Sequence, residues 1–159
     1  MGPLKGVRIL DLSRLLPGPY ATQLLRDLGA SVTKVEDASA GGDPLRHYEP
    51  RASDGTSAMF HAINRGKGSV SLPFRDPATR DALRRMVGES DVVVESFRPG
   101  TLEAMLGVAS SAELLETHRR LVLVRLSGYG PHRSEPGHDL NFMAAAGVRL
   151  HFIGNVQIG

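Results

Sequence analysis

The stretch Val7-Arg8-Ile9-Leu10-Asp11-Leu12, broken by Pro17-Gly18-Pro19 and followed by Ser31-Val32-Thr33-Lys34-Val35-Glu36, decides the fold. Its first part is a short apolar run ending in polar residues, the signature of a strand. Beyond the proline break, Tyr20, Leu24 and Leu28 recur at a helical period with Ala21 and Leu25 alongside, and Gly29 stops the helix. A second strand-like run over Ser31–Glu36 completes a βαβ unit, for which parallel pairing and a right-handed crossover are strongly preferred.

The pattern continues outward from that unit. Ser69–Phe74 reads as a third strand, Asp76 as an N-cap ahead of Pro77 at the first helical position, and Leu83, Met86 and Val87 as the inner face of the helix that follows. Val92–Glu95 and Leu121–Leu126 supply two more strands, and between them Ser111 suits the cap of a helix over Ala112–His118. The segment Asp37–Ser57 is loop-rich, with Gly41-Gly42-Asp43-Pro44 at its centre. No internal repeat, low-complexity tract or domain boundary interrupts the chain. The expected fold is α/β, a Rossmann-like open parallel sheet with flanking helices, in a single part spanning residues 1–159.

Composition limits the partners. A chain of 159 residues with 41% hydrophobic content can bury a core. Nineteen Lys and Arg against seventeen Asp and Glu leave a charge of +2, too slight and too interspersed for a nucleic-acid groove. Most of the basic residues are Arg, which favours local pairing with carboxylate or phosphate. Without cysteine there is no disulfide framework and no thiolate metal site. His47, His61, His118, His132 and His151 are scattered without metal-ligand spacing, so no metal is expected. No apolar run approaches the roughly 18 residues of a membrane helix, and Met1–Lys5 does not lead into a signal-peptide core. The default expectation is a soluble, cytoplasmic protein.

An open parallel sheet binds ligands at the carboxyl ends of its strands, where four loops compete. Ser13-Arg14-Leu15-Leu16-Pro17-Gly18-Pro19 presents a helix N-terminus that suits either a phosphate or an apolar arm, without the Gly-x-Gly-x-x-Gly of a standard dinucleotide site. Glu36 fits either a ribose hydroxyl or a solvated strand end. Asn64-Arg65-Gly66-Lys67-Gly68 is basic and glycine-spaced, which suits a phosphate and equally a solvated turn. Glu95-Ser96-Phe97-Arg98-Pro99-Gly100 sets an aromatic face and a guanidinium directly after a strand, a ring for an adenine and a charge for a phosphate.

Together with Leu28-Gly29-Ala30, Gly42-Asp43-Pro44-Leu45-Arg46, Ser127-Gly128-Tyr129-Gly130 and Gly137-His138-Asp139-Leu140-Asn141-Phe142, these loops in this order resemble the family III coenzyme A transferases over nearly the whole chain. The family includes formyl-CoA transferase, carnitine CoA-transferase and α-methylacyl-CoA racemase. The resemblance implies binding of the ADP and pantetheine parts of a CoA thioester as substrate, with no bound prosthetic group. It places Leu15, Leu16 and Pro17 along the CoA, Leu72 and Arg75 beside the nucleotide, Ser96, Phe97 and Arg98 near adenine and phosphate, and Met105 at a further CoA-lining position. Lys67, Arg75 and Arg98 are the expected phosphate partners. Two departures stand out: many relatives carry Arg where this chain has Asp37, an acid that opposes a polyanion, and Asn is common where Ser96 stands.

Gly137–Phe142 is most similar to the racemase branch, where the matching His is one of two acid/base groups flanking the α-carbon of an acyl-CoA. That chemistry needs a base for the α-proton, an acid on the opposite face and a stabilised enolate oxygen. His138 is the expected catalytic residue, with a helix-capping or packed histidine as the bland alternative; Asp139 suits orientation of the helix or of Asn141. Transferases of the family use instead an aspartate nucleophile that, like the racemase's second group, lies beyond the Gly154 region. The tail Asn155–Gly159 carries no family signal. The resemblance therefore implies an N-terminal portion, incomplete relative to a fold that a distant C-terminal segment closes and that interlocks as a ring-like dimer. The strands Val7–Leu12, Val92–Glu95 and Leu121–Leu126 are expected to be buried on both faces of that full fold, and to leave apolar surface uncovered here. The expected partners are acyl-CoA and a second copy or a complementary C-terminal chain. The expected function is action on CoA thioesters, nearest to 2-methylacyl-CoA epimerisation; the alternative is a non-catalytic CoA-binding or assembly module.

Overall fold

The computed structural model describes residues 2–147. His151, Gly154 and the tail 155–159 lie outside them. The chain divides into two compact units, Met1–Leu126 and Ser127–Gly159, each treated by itself. The first holds a five-stranded sheet of β1 (Arg8–Leu12), β2 (Ser31–Asp37), β3 (Gly68–Leu72), β4 (Val92–Glu95) and β5 (Val122–Arg125). All pairings are parallel, and the spatial order is β3-β2-β1-β4-β5. The α/β class and open parallel sheet expected from the sequence are thus present. The winding direction reverses between β1 and β4, which makes their carboxyl ends the natural crevice of the fold.

Side-chain alternation divides the core. On one face Leu10, Leu12, Val35 and Val93 pack with Leu83 and Val87 of α3 (Thr79–Gly88), Leu102 and Leu106 of α4 (Thr101–Leu106) and Leu114 of α5 (Ser111–Thr117). On the other, Ile9, Ala30, Val32 and Val94 pack with Leu25 of α1 (Pro17–Asp27). This second face turns polar toward the strand ends: along β1 it runs Ile9, Asp11, and along β2 Val32, Lys34, Glu36, with Asp11 and Lys34 paired in register.

That polarity corrects the helical period read from the sequence. Helix α1 buries Gly18, Pro19, Thr22 and Gln23, whereas Tyr20 (52% exposed), Leu24 (47%) and Leu28 (47%) face outward. The buried charges of β1 and β2 require hydroxyl and carbonyl partners, and only the Pro19/Thr22 side of the helix supplies them. Strands β1 and β4 are largely buried, and β5 leaves apolar surface open, with Val122 55% exposed.

Smaller differences are local. Helix α3 starts at Thr79, two residues past Pro77, because the Asp76 carboxylate accepts the Ala78 N–H at 2.9 Å and closes a turn ahead of the helix. Ser110, not Ser111, caps α5 by accepting the Glu113 N–H (3.2 Å), while the Ser111 hydroxyl donates to Glu103. The loop-rich segment contains 3₁₀ turns at Ala38–Ala40 and Pro44–His47 and leads into α2 (Ala58–Asn64), which the sequence reading did not anticipate. Among the described residues no helix is long and apolar enough to cross a membrane. In the second unit, α6 (Asp139–Ala145) follows a loop in which the Tyr129 ring lies 5.4 Å from that of Phe142.

Gly18 is where α1 touches the end of β1. A Cβ there would stand 2.1 Å from Ser13 Oγ and 2.3 Å from Ser13 Cβ. Gly18→Ala is expected to destabilise the chain by roughly 1–3 kcal/mol or more through overpacking, read as a lowered urea midpoint.

Candidate functional site

The carboxyl ends of β1 and β2 are built on buried charge. Lys34 is 2% exposed; its Nζ lies 2.9 Å from Asp43 Oδ2 and donates to the Ser13 carbonyl at 2.9 Å. Lys67, its side chain 1% exposed, reaches Asp11 Oδ2 at 3.0 Å, the Pro19 carbonyl and Thr22 Oγ1 at 2.8 Å each, and Asn64 Oδ1 at 2.9 Å. Thr22 in turn donates to Asp11 at 2.5 Å, and the Ser13 hydroxyl donates to the other Asp11 oxygen. Burial works to raise the Asp11 pKa, but the Lys34 and Lys67 charges and the two hydroxyls outweigh it and hold the group below its ordinary range. Three ammonium protons facing four internal acceptors leave Lys67 no donor for a ligand. Its physical setting is that of a structural ion pair, which departs from the phosphate role expected of it.

A second tier surrounds the first. The Asp43 carboxylate accepts the Leu15 N–H at 3.1 and 3.2 Å and the Leu45 N–H at 3.0 Å, while the Asp43 N–H donates to Glu36 at 2.9 Å. Arg46 grips Glu36 through two bonds of 2.7 Å and stacks 3.9 Å from the centre of the Phe60 ring. Glu36 is therefore committed to Arg46 and the loop backbone. Burial pushes its carboxyl up, and the Arg46 hydrogen bonds and charge, with the Asp43 N–H, more than offset this and lower it. Asp37 also has internal work: its carboxylate accepts the Ser39 N–H at 2.9 Å and the Phe74 N–H at 3.1 Å.

The turn after β1 is shaped by this tier. Leu15 has φ +63°, the one positive φ at a non-glycine among the described residues. A left-handed leucine costs roughly 1–2 kcal/mol, so surrounding contacts must hold it. Helix α1 then opens with Pro17-Gly18-Pro19. Two of its first three residues lack an N–H, and the Tyr20 N–H is already bonded to the Leu16 carbonyl, so the helix tip offers an anion only the Gly18 N–H. Of the two ligands the sequence allowed for this turn, its chemistry suits the apolar arm: Leu16 is exposed, and Leu15 rests beside the cluster of Leu45, Phe60 and Ile63.

The other expected residues of the first unit lie at the end of β3, in the loops after β3 and β4, and on α4. Leu72, Phe97 and Met105 pack against the core of the α3/α4 face together with Phe74. The Phe74 and Phe97 rings meet edge to face at 6.0 Å, and Arg14 lies 6.0 Å from the centre of the Phe97 ring. Arg75 and Met105 line the same small cavity, about 100 Å³, with Phe74, Pro77 and Ala104. Arg98, which follows Phe97 in sequence, is exposed. Ser96 Oγ accepts the Arg14 N–H at 3.1 Å and so ties the loop after β4 to the turn after β1. Behind Phe97, Glu95 accepts its N–H at 2.6 Å and pairs with Arg125 at 3.1 Å, while Arg125 also holds Glu103 at 2.5 Å. Burial raises the Glu95 carboxyl, against the lowering effects of the Phe97 N–H and Arg125.

His138 belongs to the second unit. It is exposed, it immediately precedes α6, and its N–H donates to Asn141 Oδ1 at 2.9 Å. Asp139 stands in the first turn of α6, where a negative charge complements the helix dipole. Asp43, Lys34, Thr22 and Arg14 were missed as site residues. Lys34 alternates with Val32 on one face of β2, and a lysine at an inward position was the available signal, since such a group demands a buried acid nearby.

The family model for CoA-transferase family III matches residues 4–155. An acyl-CoA transferase of Fusarium pseudograminearum is 41% identical over 96% of this chain and 35% of its own length. A succinyl-CoA:mesaconate CoA-transferase of Haloarcula hispanica is 38% identical over 93% of this chain and 39% of its own. A crystal structure of a CAIB/BAIF family protein from Brucella suis superposes with a TM-score of 0.80 at 36% identity, covering 92% of this chain and 39% of that one. The chain belongs to CoA-transferase family III. It spans between 35% and 39% of the length of these relatives.

Two outcomes follow from the buried charges. Lys67→Met, which takes from Asp11 the cation bonded to it and leaves only the neighbouring Lys34, is expected to cost roughly 3 kcal/mol or more in a urea titration. The folded-state pKa values of Asp11 and Glu36 are both lowered, so the stability they confer is full above the ordinary carboxylate range near about 4. It is lost as pH falls through those lowered values, and urea midpoints measured across acid pH should drop less steeply in Asp11→Asn.

Proposed function

We propose that this chain is the N-terminal, CoA-binding part of a cytoplasmic protein that acts on CoA thioesters. The observation that carries the reading is the packing of Leu72, Phe74, Phe97 and Met105 on one core face beside a cavity that Arg75 and Met105 line, with the exposed Arg98 following Phe97 in sequence and Arg14 of the turn after β1 facing the Phe97 ring. Phe97 offers a ring face for the base, the exposed Arg75 and Arg98 offer charge for the phosphates, and the turn offers apolar surface for the pantetheine arm. Phosphate recognition then falls to these arginines and not to Lys67, whose donors are spent inside the fold.

For the reaction, the motif Gly137–Phe142 supports His138 as an acid/base group of α-proton chemistry, as in epimerisation of a 2-methylacyl-CoA. The Fusarium and Haloarcula relatives are named for CoA transfer, which favours that reaction over racemisation. A CoA-binding or assembly module that works with a second copy or a complementary chain is the second reading, favoured by the partial coverage of those relatives.

Calorimetric titration of the folded chain with CoA tests the proposal. Affinity should fall as salt rises, and Arg98→Ala should weaken it by about tenfold, the scale of one charge-assisted phosphate contact. No binding at millimolar CoA by a chain with a cooperative unfolding transition would remove the ligand role.

A further inference from the structure

We propose that Asp43 is a positioning residue for the turn Ser13–Pro17, acting through the strained backbone of Leu15; this rests on the reading of that turn as the wall along which a CoA thioester lies. Asp43 lies 28 residues along the chain from Leu15 and is fully buried, yet its carboxylate bonds the Leu15 N–H with both oxygens, at 3.1 and 3.2 Å. The same carboxylate is neutralised by Lys34 at 2.9 Å, and Lys34 donates in turn to the Ser13 carbonyl at 2.9 Å. The pair therefore clamps the turn at two points two residues apart, one on each side of Arg14.

What the clamp holds is a shape the sequence would not choose. Leucine at φ +63° relaxes to negative φ when its N–H is released, because the left-handed region brings its Cβ against the following carbonyl. That relaxation swings the chain at the point where Leu16 and Pro17 leave β1 for α1. It also moves Arg14, whose N–H bonds Ser96 and whose guanidinium lies over Phe97. Asp43 touches neither crevice wall as a ligand group would; it sets where both walls stand. The anchor is itself braced, since the Asp43 N–H is bonded to Glu36 and Glu36 to Arg46. The Gly42-Asp43-Pro44-Leu45-Arg46 segment thus has a mechanical reason for each of its polar members.

The test is a double-mutant cycle read by CoA titration. Asp43→Asn is expected to weaken CoA binding about tenfold or more, because a displaced site wall loses its contacts together. In the Leu15→Gly background, where left-handed φ carries no strain, the same Asp43→Asn change should cost much less. A purely structural role for Asp43 would cost the same in both backgrounds, and that result overturns the proposal. Should Asp43→Asn fail to fold, Leu15→Pro decides. It forbids positive φ and removes the N–H while leaving the Asp43–Lys34 pair intact. A loss of CoA affinity in folded Leu15→Pro well beyond that of Leu15→Ala, which truncates the same side chain and keeps the N–H, supports the proposal, and affinity equal to that of Leu15→Ala overturns it. Wild-type chain that binds no CoA overturns this proposal together with the CoA reading, whereas wild-type binding that Asp43→Asn leaves untouched overturns this one alone.

Discussion

The fold depends on keeping four charges dry. Asp11 and Lys34 are register partners on neighbouring strands, and each is matched by a group brought from elsewhere, Lys67 from the loop before β3 and Asp43 from the loop after β2. An unpaired charge in that position would be prohibitive, so the two loops and helix α1 have little freedom in where they dock. Apolar packing on the α3/α4 face supplies the bulk of the burial. The ionic face supplies orientation, because hydrogen-bonded ions accept their partners in few geometries while leucines accept many.

Seen in this way the exposed leucines of α1 have a cause. A helix that had only to cover Ile9, Val32 and Val94 would turn its Tyr20/Leu24/Leu28 stripe inward. This one must also bring Thr22 and the Pro19 carbonyl to Lys67 and Asp11, and the stripe is left facing out. An apolar surface on a helix is here the by-product of a polar demand beneath it.

Much of the architecture was legible because it rests on local signals. The strand runs Val7–Leu12, Ser31–Glu36 and Val92–Glu95 show their apolar pattern openly, and alternation with helical segments points to a parallel sheet. What was not legible depended on distance in sequence. The inward face of α1 is set by Lys67, and the conformation of Leu15 by Asp43, neither of which periodicity near α1 can reveal. Lys67 shows the same limit at the site: a lysine between glycines looks like a phosphate contact until the acceptors 45 to 56 residues away are known. Of the residues matched through family motifs, Leu72, Phe97 and Met105 pack against one core face, and Arg75 shares a small cavity with Met105.

The tip of α1 has a longer consequence. In many folds with this strand arrangement the helix after the first strand meets a phosphate with fixed backbone amides, and the anion subsite is then as rigid as the sheet. Here two prolines leave the Gly18 N–H alone at that tip, so the turn after β1 has little backbone to offer an anion. Side chains can be exchanged one at a time without disturbing a strand or a helix. Were an anion held near this turn by side chains, its affinity could be altered by substitution without loosening the buried ion pairs that hold the sheet and its loops together.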